Sequence, residues 1–336
     1  MPLPKEFIYL TEHDVQQTMN VAEAIDLARN GIQADAAGNV AGDKFYTTIG
    51  DHGFVKPFTG YIDGEEYFFV KTFNFFQHNP EKFDLPATSS LVLMFEAETG
   101  YPACLMEAGW VTGLKTAAST AVTAQYLAKK DAKTALIFGA GSLGRMHLRA
   151  LAQILPLEIA YVSDLYPAIA ESCAEEVGAE VGIKVQAVPL EHREQVVRRS
   201  DVIVTVTTGD QALFQHSWLK PGAFIARLGS YQEIAQDVIT EADKVIVDNW
   251  HYVSPRIPEI VSLKNKGKFD FEHVAAEWPE IVAGTKPGRE SQEEVILYIA
   301  LGIWGEYAAI LPEVYRRAKA QKLGTQLPCT YYKNIK

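Results

Sequence analysis

The apolar positions follow two rhythms, and the first is a mixture of helix starts and strand-like runs. Thr11-Glu12-His13-Asp14 has the form of a helix start, with threonine as cap and an acid three residues on. A second helix is predicted over Val21 to Asn30, closed by Gly31. From Lys44 to about Phe95 short apolar pieces alternate with turn signals. Asp63-Gly64, between Gly60-Tyr61-Ile62 and Tyr67-Phe68-Phe69-Val70, predicts a hairpin. Leu91 to Phe95 reads as another strand and Glu98-Thr99-Gly100 as another turn. The first third is therefore an α+β block rich in antiparallel strands.

The second rhythm begins after Lys115. Thr116 to Ala124 is a helix of small residues suited to close packing, and from Ala132 strands and helices alternate. Strands are expected at Thr134–Phe138, Ile159–Ser163, Lys184–Val188, Val202–Thr207, Phe224–Leu228 and Lys244–Val247. Short apolar runs alternating with helices imply a parallel sheet covered on both faces. Glu293 to Lys319 reads as one or two long helices, interrupted around Pro312.

The most informative motif lies where the first of those strands ends. Ala135-Leu136-Ile137-Phe138 runs into Gly139-Ala140-Gly141-Ser142-Leu143-Gly144, and a helix-like stretch follows. In this dinucleotide fingerprint Gly139 permits the turn, Gly141 lets a pyrophosphate approach the backbone, and Gly144 lets helix and strand pack closely. The free N–H groups of the helix start, at Ser142 and Leu143, suit phosphate. The next strand ends at Asp164, 20 residues after Gly144. An acid there accepts hydrogen bonds from the ribose hydroxyls and repels a 2′-phosphate, favouring NAD(H) over NADP(H). Thr207, Thr208 and Gly209 follow a later strand, where such a sheet passes the nicotinamide ribose. The fold class read here is α/β, a Rossmann domain behind an α+β domain.

Composition changes this picture little. With 31 basic and 42 acidic residues the net charge is −11, which argues against nucleic acid and anionic lipid as partners. Hydrophobic residues at 48% and charged residues at 22% are ordinary for a globular chain able to bury a core. Cys104, Cys173 and Cys329 are odd in number and widely spaced, so inert thiols are expected, neither a disulfide framework nor a zinc site. No apolar run is long enough to span a bilayer and the start lacks the apolar stretch of a signal peptide, so a cytoplasmic location is expected. The eight histidines are dispersed, so no catalytic metal is expected.

Val111-Thr112-Gly113-Leu114-Lys115-Thr116-Ala117-Ala118, just before the nucleotide domain, resembles the joining segment of the ornithine cyclodeaminase/μ-crystallin family. The resemblance extends over nearly the whole chain, through Val70-Lys71-Thr72, the glycine motif, Ser200 to Thr205, Leu228-Gly229-Ser230, Val247-Asp248 and Gly288-Arg289-Glu290-Ser291. It implies NAD(P)-dependent chemistry at a carbon bearing an amino or imino group. It also implies a homodimer built through the non-Rossmann domain, and a C-terminal helix that returns to that domain. The expected domains are then 1–115 plus 306–336 for substrate and dimerisation, and 116–305 for NAD. Thr116 and Gly229 join the motif glycines, Asp164, Thr207 and Thr208 as expected cofactor contacts.

Lys71, amid Tyr67-Phe68-Phe69 and Phe73, matches the lysine that the family places against its substrate. A lysine among apolar neighbours can pass protons or hold a carboxylate as a point charge. Three positions depart from the family. Lys44 and Lys115 stand where arginines are common, and Tyr231 stands where cyclodeaminases and alanine dehydrogenases carry a catalytic aspartate. A phenol can donate a proton to an imine nitrogen but is a poor base near neutrality. Lys56 adds a further cation to the same block. Together Lys44, Lys56, Lys71 and Lys115 suit an acidic substrate, even one with two carboxylates. Arg289 is read either as a cofactor neighbour or as part of the late helix's start.

The leading reading is an NAD(H)-dependent oxidoreductase that interconverts an imino acid, such as a ketimine or iminosuccinate, and an L-amino acid. In it Lys71 and Tyr231 are catalytic, and Lys44, Lys56 and Lys115 bind substrate. An ammonia-lyase using bound NAD, and a dinucleotide-binding protein without catalysis, are the alternatives.

Overall fold

The computed structural model describes residues 6–328. The chain divides into two compact units, one formed by residues 1–115 and 304–336, the other by residues 116–303. Among the described residues no helix is long and apolar enough to cross a membrane.

The first unit is built on one mixed sheet. Its strands are β1 (Glu6–Leu10), β2 (Val40–Lys44), β3 (Thr47–Ile49), β4 (Gly53–Ile62), β5 (Tyr67–Phe75), β6 (Thr88–Glu96) and β7 (Pro102–Glu107). The late strand Thr325–Pro328 pairs with β1, and the order continues β1, β7, β6, β5, β4, β2, with β3 also on β4. Residues alternate between the two faces of a strand, so one row, Lys44, Phe58, Lys71, Val92 and Met106, runs across five neighbouring strands on one face. The Asp63-Gly64 turn closes the β4–β5 hairpin with Gly64 at φ 85°.

Helices Val21–Ala36 and Gly305–Gln321 belong to this unit. The first does not stop at Gly31, contrary to the sequence expectation. A β-carbon on Gly31 would lie 2.3 Å from the Gly305 carbonyl oxygen, so the glycine serves a close helix crossing rather than a helix end. The cap comes later, at Ala37.

The second unit carries β8 (Thr134–Phe138), β9 (Ile159–Ser163), β10 (Lys184–Ala187), β11 (Val202–Thr205), β12 (Phe224–Arg227), β13 (Lys244–Val247), β14 (Ala276–Glu277) and β15 (Ile296–Ile299). All pair in parallel, in the order β10, β9, β8, β11, β12, β15, β13, β14. This is the doubly wound arrangement expected from the alternation of strands and helices. Every residue of β11, β12 and β15 is buried, as a sheet covered on both faces requires.

β15 corrects the reading of the late segment as helix from Glu293. Ile296-Leu297-Tyr298-Ile299 is a short apolar run without period, and such a run is the same in sequence for a buried strand or a buried helix. The helix starts only at Gly305 and continues through Pro312. Gly288 to Ser291 is accordingly not its start. Arg289 instead donates to the carbonyls of Leu127 and Glu294, at 2.8 and 2.7 Å, tying loop to helix.

Asp201 anchors the opposite edge of this sheet. Burial opposes its charge, but Lys220 at 2.6 Å, the Thr134 hydroxyl at 2.7 Å and Lys129 at 3.0 Å hold its carboxyl well below the usual range. Cys104 and Cys173 are buried free thiols, and burial pushes both upward; Cys329 lies outside the described residues.

Candidate active site

The nucleotide-binding unit forms a cradle at the C-terminal ends of β8, β9 and β11. Gly139 has φ 95°, and a β-carbon on Gly144 would fall 1.8 Å from the Gly139 carbonyl oxygen. Only glycine fits at either place. A β-carbon on Gly141 would meet nothing within 4 Å, so this position is open. Helix Ser142–Ile154 begins there with no side-chain cap, leaving the N–H groups of Ser142, Leu143 and Gly144 directed out of its first turn. Gly139, Gly141, Asp164, Thr207 and Thr208 line one cavity of about 600 Å³. Ser163, fully buried on its wall, has a hydroxyl without a hydrogen-bond partner among the described residues. Open glycine, uncapped helix start and orphaned hydroxyl together fit a dinucleotide.

Asp164 has two roles in this geometry. Its Oδ2 accepts from the Ala140 amide at 2.8 Å, which fixes the glycine turn, and its Oδ1 accepts from the Tyr166 amide at 3.0 Å. The second bond makes the turn before Pro167 that its position in sequence suggests. Behind the cradle His147 is fully buried. Its Nδ1 donates to the Leu143 carbonyl at 2.8 Å, and its Nε2 lies 3.1 Å from the Thr120 hydroxyl. Burial lowers its pKa to about 4. The Thr120 hydroxyl also lies 3.0 Å from the carbonyl of Thr116, so this short chain links Thr116 to the first turn of the phosphate-facing helix. Nothing in the local sequence marks His147, because the link depends on helix packing.

Gly229 does not line that cavity but follows the next strand end. A β-carbon there would lie 2.5 Å from the Glu233 carboxyl carbon. Tyr231, on the same turn, is half-buried, and burial raises its phenol above the ordinary value.

The first unit carries all four lysines singled out by sequence. Lys44, Lys56 and Lys71 share one face of β2, β4 and β5, and Lys115 reaches in from the helix that starts at Gly109. Lys71 is buried, with Nζ 5.0, 5.1 and 5.5 Å from the ring centres of Phe58, Tyr307 and Phe73. Among the described residues it has no carboxylate or hydrogen-bond acceptor. Burial drives its pKa well below the ordinary lysine range, and the charges of Lys56 and Lys115 add to this. The rings favour the cation, but each such contact is small beside loss of water and two like charges. Lys56 is half-buried and sits 5.0 Å from the Phe73 ring centre.

Lys115 is different. It is buried in an ion pair with Glu306, and its Nζ stands 4.7 Å from the centre of the Tyr307 ring. Tyr307 thus contacts two ammonium groups, and burial raises its own pKa. Sequence reasoning missed Glu306 and Tyr307. Reading the helix from Glu293 hid the fact that they occupy its first turn, and their partners lie far away in the chain.

Known proteins resemble this chain over nearly its whole length. Residues 5–322 match the family model "Ornithine cyclodeaminase/mu-crystallin family". The N-((2S)-2-amino-2-carboxyethyl)-L-glutamate dehydrogenase of Staphylococcus aureus is 32% identical over 252 residues, covering 74% of each chain. The Thermococcus litoralis Delta(1)-pyrroline-2-carboxylate reductase, solved with NADH and L-proline, is 28% identical with TM-score 0.91, covering 96% of this chain and all of that one. An archaeal alanine dehydrogenase dimer with bound NAD is 26% identical with TM-score 0.88, covering 96% and 99%. The chain belongs to the ornithine cyclodeaminase/mu-crystallin family.

Proposed function

We propose that this protein is an NAD(H)-dependent oxidoreductase that reduces an imino acid to an L-amino acid, or runs the reverse dehydrogenation, on a substrate with more than one carboxylate. The observation that carries this reading is Lys71: a buried amine in an aromatic box, without an acid among the described residues and flanked by other lysines. Such a group is costly to keep unless a ligand supplies the missing charge. A substrate carboxylate restores the lysine to its charged form and is held by it, with Lys56 and Lys44 on the same sheet face for a second carboxylate. Lys115, already paired with Glu306, fixes the Tyr307 wall and adds positive field rather than acting as a lone clamp.

Bound NADH supplies the hydride. Asp164 selects it over NADPH by meeting the ribose hydroxyls, and the cradle at Gly139 to Gly144 takes the pyrophosphate. Tyr231, protonated near neutrality as phenols are, is the proton donor to the imine nitrogen. A phenol in that place disfavours the lyase reading, which needs a base near neutrality. The similarity to reductases and dehydrogenases solved with NADH or NAD supports the same assignment.

The active form is proposed to be a homodimer. The outward face of β5, β6 and β7 carries Leu91 and Leu93, 45% and 38% exposed, with the stacked pair Phe68 and Phe95 beside them. An apolar sheet face of this kind calls for cover, and a second copy supplies it. A Leu93→Glu variant then shifts the molecular mass measured by light scattering from dimer to monomer. An unchanged mass removes this face as the interface.

The activity is tested by following NADH consumption with 2-oxo acids plus ammonia or methylamine, and with cyclic imines. Turnover faster with dicarboxylic than monocarboxylic substrates, and faster with NADH than NADPH, is the expected result. Ammonia release from a diamino acid without net NADH change would instead identify a lyase.

A further inference from the structure

A second group of buried charges lies beneath the strand ends of the nucleotide-binding unit, and no step above uses it. Arg227, at the end of β12, is completely buried and donates to the carbonyls of Gly229 and Tyr231 and, at 3.0 Å, to the carboxylate of buried Glu259. The other oxygen of Glu259 accepts the amides of Glu233 and Ile234, at 2.9 and 3.2 Å. The five-residue turn from Gly229 to Glu233 is therefore wrapped around one guanidinium and pinned at its far end.

Glu233 carries this order to the neighbouring strand. It is 0% exposed and accepts four hydrogen bonds: from the Thr205 hydroxyl at 2.8 Å, the Thr207 amide at 2.6 Å, the Thr207 hydroxyl at 2.9 Å and the Gly229 amide at 2.8 Å. Four donors on two oxygens fill the acceptor sites of the carboxylate. The carboxylate bolts the end of β11 to the turn after β12, and the packing of Gly229 against it is what excludes a side chain at that position.

The location of this bolt gives it a function. In a doubly wound sheet the dinucleotide lies across the C-terminal edge, its pyrophosphate at the first glycine turn and its two nucleosides to either side. Here that turn follows β8, Asp164 follows β9 on one side, and Thr207 and Gly229 follow β11 and β12 on the other. The adenosine side is set by Asp164, so the nicotinamide side falls to the two turns joined by Glu233. The geometry assigns Glu233 as the positioning residue for the nicotinamide half of the cofactor, and for the turn bearing Tyr231, acting through Thr207 and Gly229. This rests on the reading that NAD(H) is the cofactor.

The test compares two ligands that share one half. ADP-ribose contains the adenosine and pyrophosphate but no nicotinamide, whereas NADH has both. In Glu233→Gln the amide keeps the shape but presents N–H groups to donors, so at least one of the four bonds is lost. Calorimetric titration is expected to show NADH binding weakened about tenfold, with ADP-ribose within about twofold of wild type. The enhancement of NADH fluorescence on binding, which reports the ring's surroundings, falls in parallel. Thr205→Val removes one bond without touching the cofactor site and gives the same split at about threefold, and it decides the matter if Glu233→Gln does not fold. Equal weakening of both ligands, or unchanged NADH binding in both variants, overturns the assignment. Wild-type protein that binds neither ligand overturns the cofactor reading itself.

Discussion

The two units treat buried charge in opposite ways. Beneath the nucleotide-binding turns, Arg227, Glu259 and Glu233 are wholly buried and are held by short hydrogen bonds to one another and to the backbone. In the first unit Lys71 is just as buried, but among the described residues it meets aromatic rings and the charges of other lysines and no acid. The first arrangement uses charge to fix backbone. The second leaves a buried amine without an acid among the described residues, the arrangement that the proposed binding of an anionic substrate would use. Lys115 and Glu306 show the difference within one cluster, since that lysine has its acid and Lys71 has none among the described residues.

Removing the reserved charge should separate activity from stability most sharply. We expect Lys71→Met to lower kcat/KM by about 30- to 5,000-fold, the loss of one partner of a buried charge pair, while thermal melting stays level or rises, because a buried amine is replaced by a thioether of similar length. A large loss of melting temperature with intact activity would make Lys71 part of the scaffold. The opposite experiment is Arg227→Met, which strands Glu259. We expect it to cost about 3–5 kcal/mol in chemical denaturation, whereas a loss below 1 kcal/mol would mean the network is not needed for folding.

The pH dependence of stability sharpens the comparison further. His147 is neutral when folded, its pKa lowered from 6.5 to about 4. The unfolded chain therefore binds more protons between those values. Its contribution is complete above pH 6.5 and is lost as pH falls through about 4, amounting to about 3 kcal/mol at the acid end. In His147→Gln the acid slope of stability between these values should flatten, and an unchanged slope would assign it to other groups. The smallest effect concerns the cofactor. Asp164→Ser should reduce the preference for NADH over NADPH by about tenfold, as read from the ratio of their dissociation constants.

The nucleotide-binding sheet was largely readable from sequence because its signals are local. Thr134–Phe138 and Ile159–Ser163 are short apolar runs bounded by turns, and they form strands with those same bounds. The glycine cradle is a contiguous motif, and its steric demands follow from backbone geometry at Gly139 and Gly144. Ile296–Ile299 escaped because burial on both faces erases the period that distinguishes strand from helix. Gly31 misled because a glycine that admits a crossing helix looks in sequence like one that ends a helix. The lysines could be named one by one, but the Lys115–Glu306 pair, the Tyr307 wall and the Glu233 bolt join distant positions and needed the fold.

The central claim, that Lys71 is a low-pKa amine reserved for substrate, is tested most directly by the pH profile of kcat/KM in wild type and Lys71→Arg. If the charged amine holds the substrate, wild-type kcat/KM falls as pH rises through the lowered pKa, well below the ordinary lysine value of about 10.4. Arginine stays charged, so in Lys71→Arg that descending limb should move to higher pH even where overall activity is reduced. A limb at the same pH in both proteins would contradict the account and place the titrating group elsewhere.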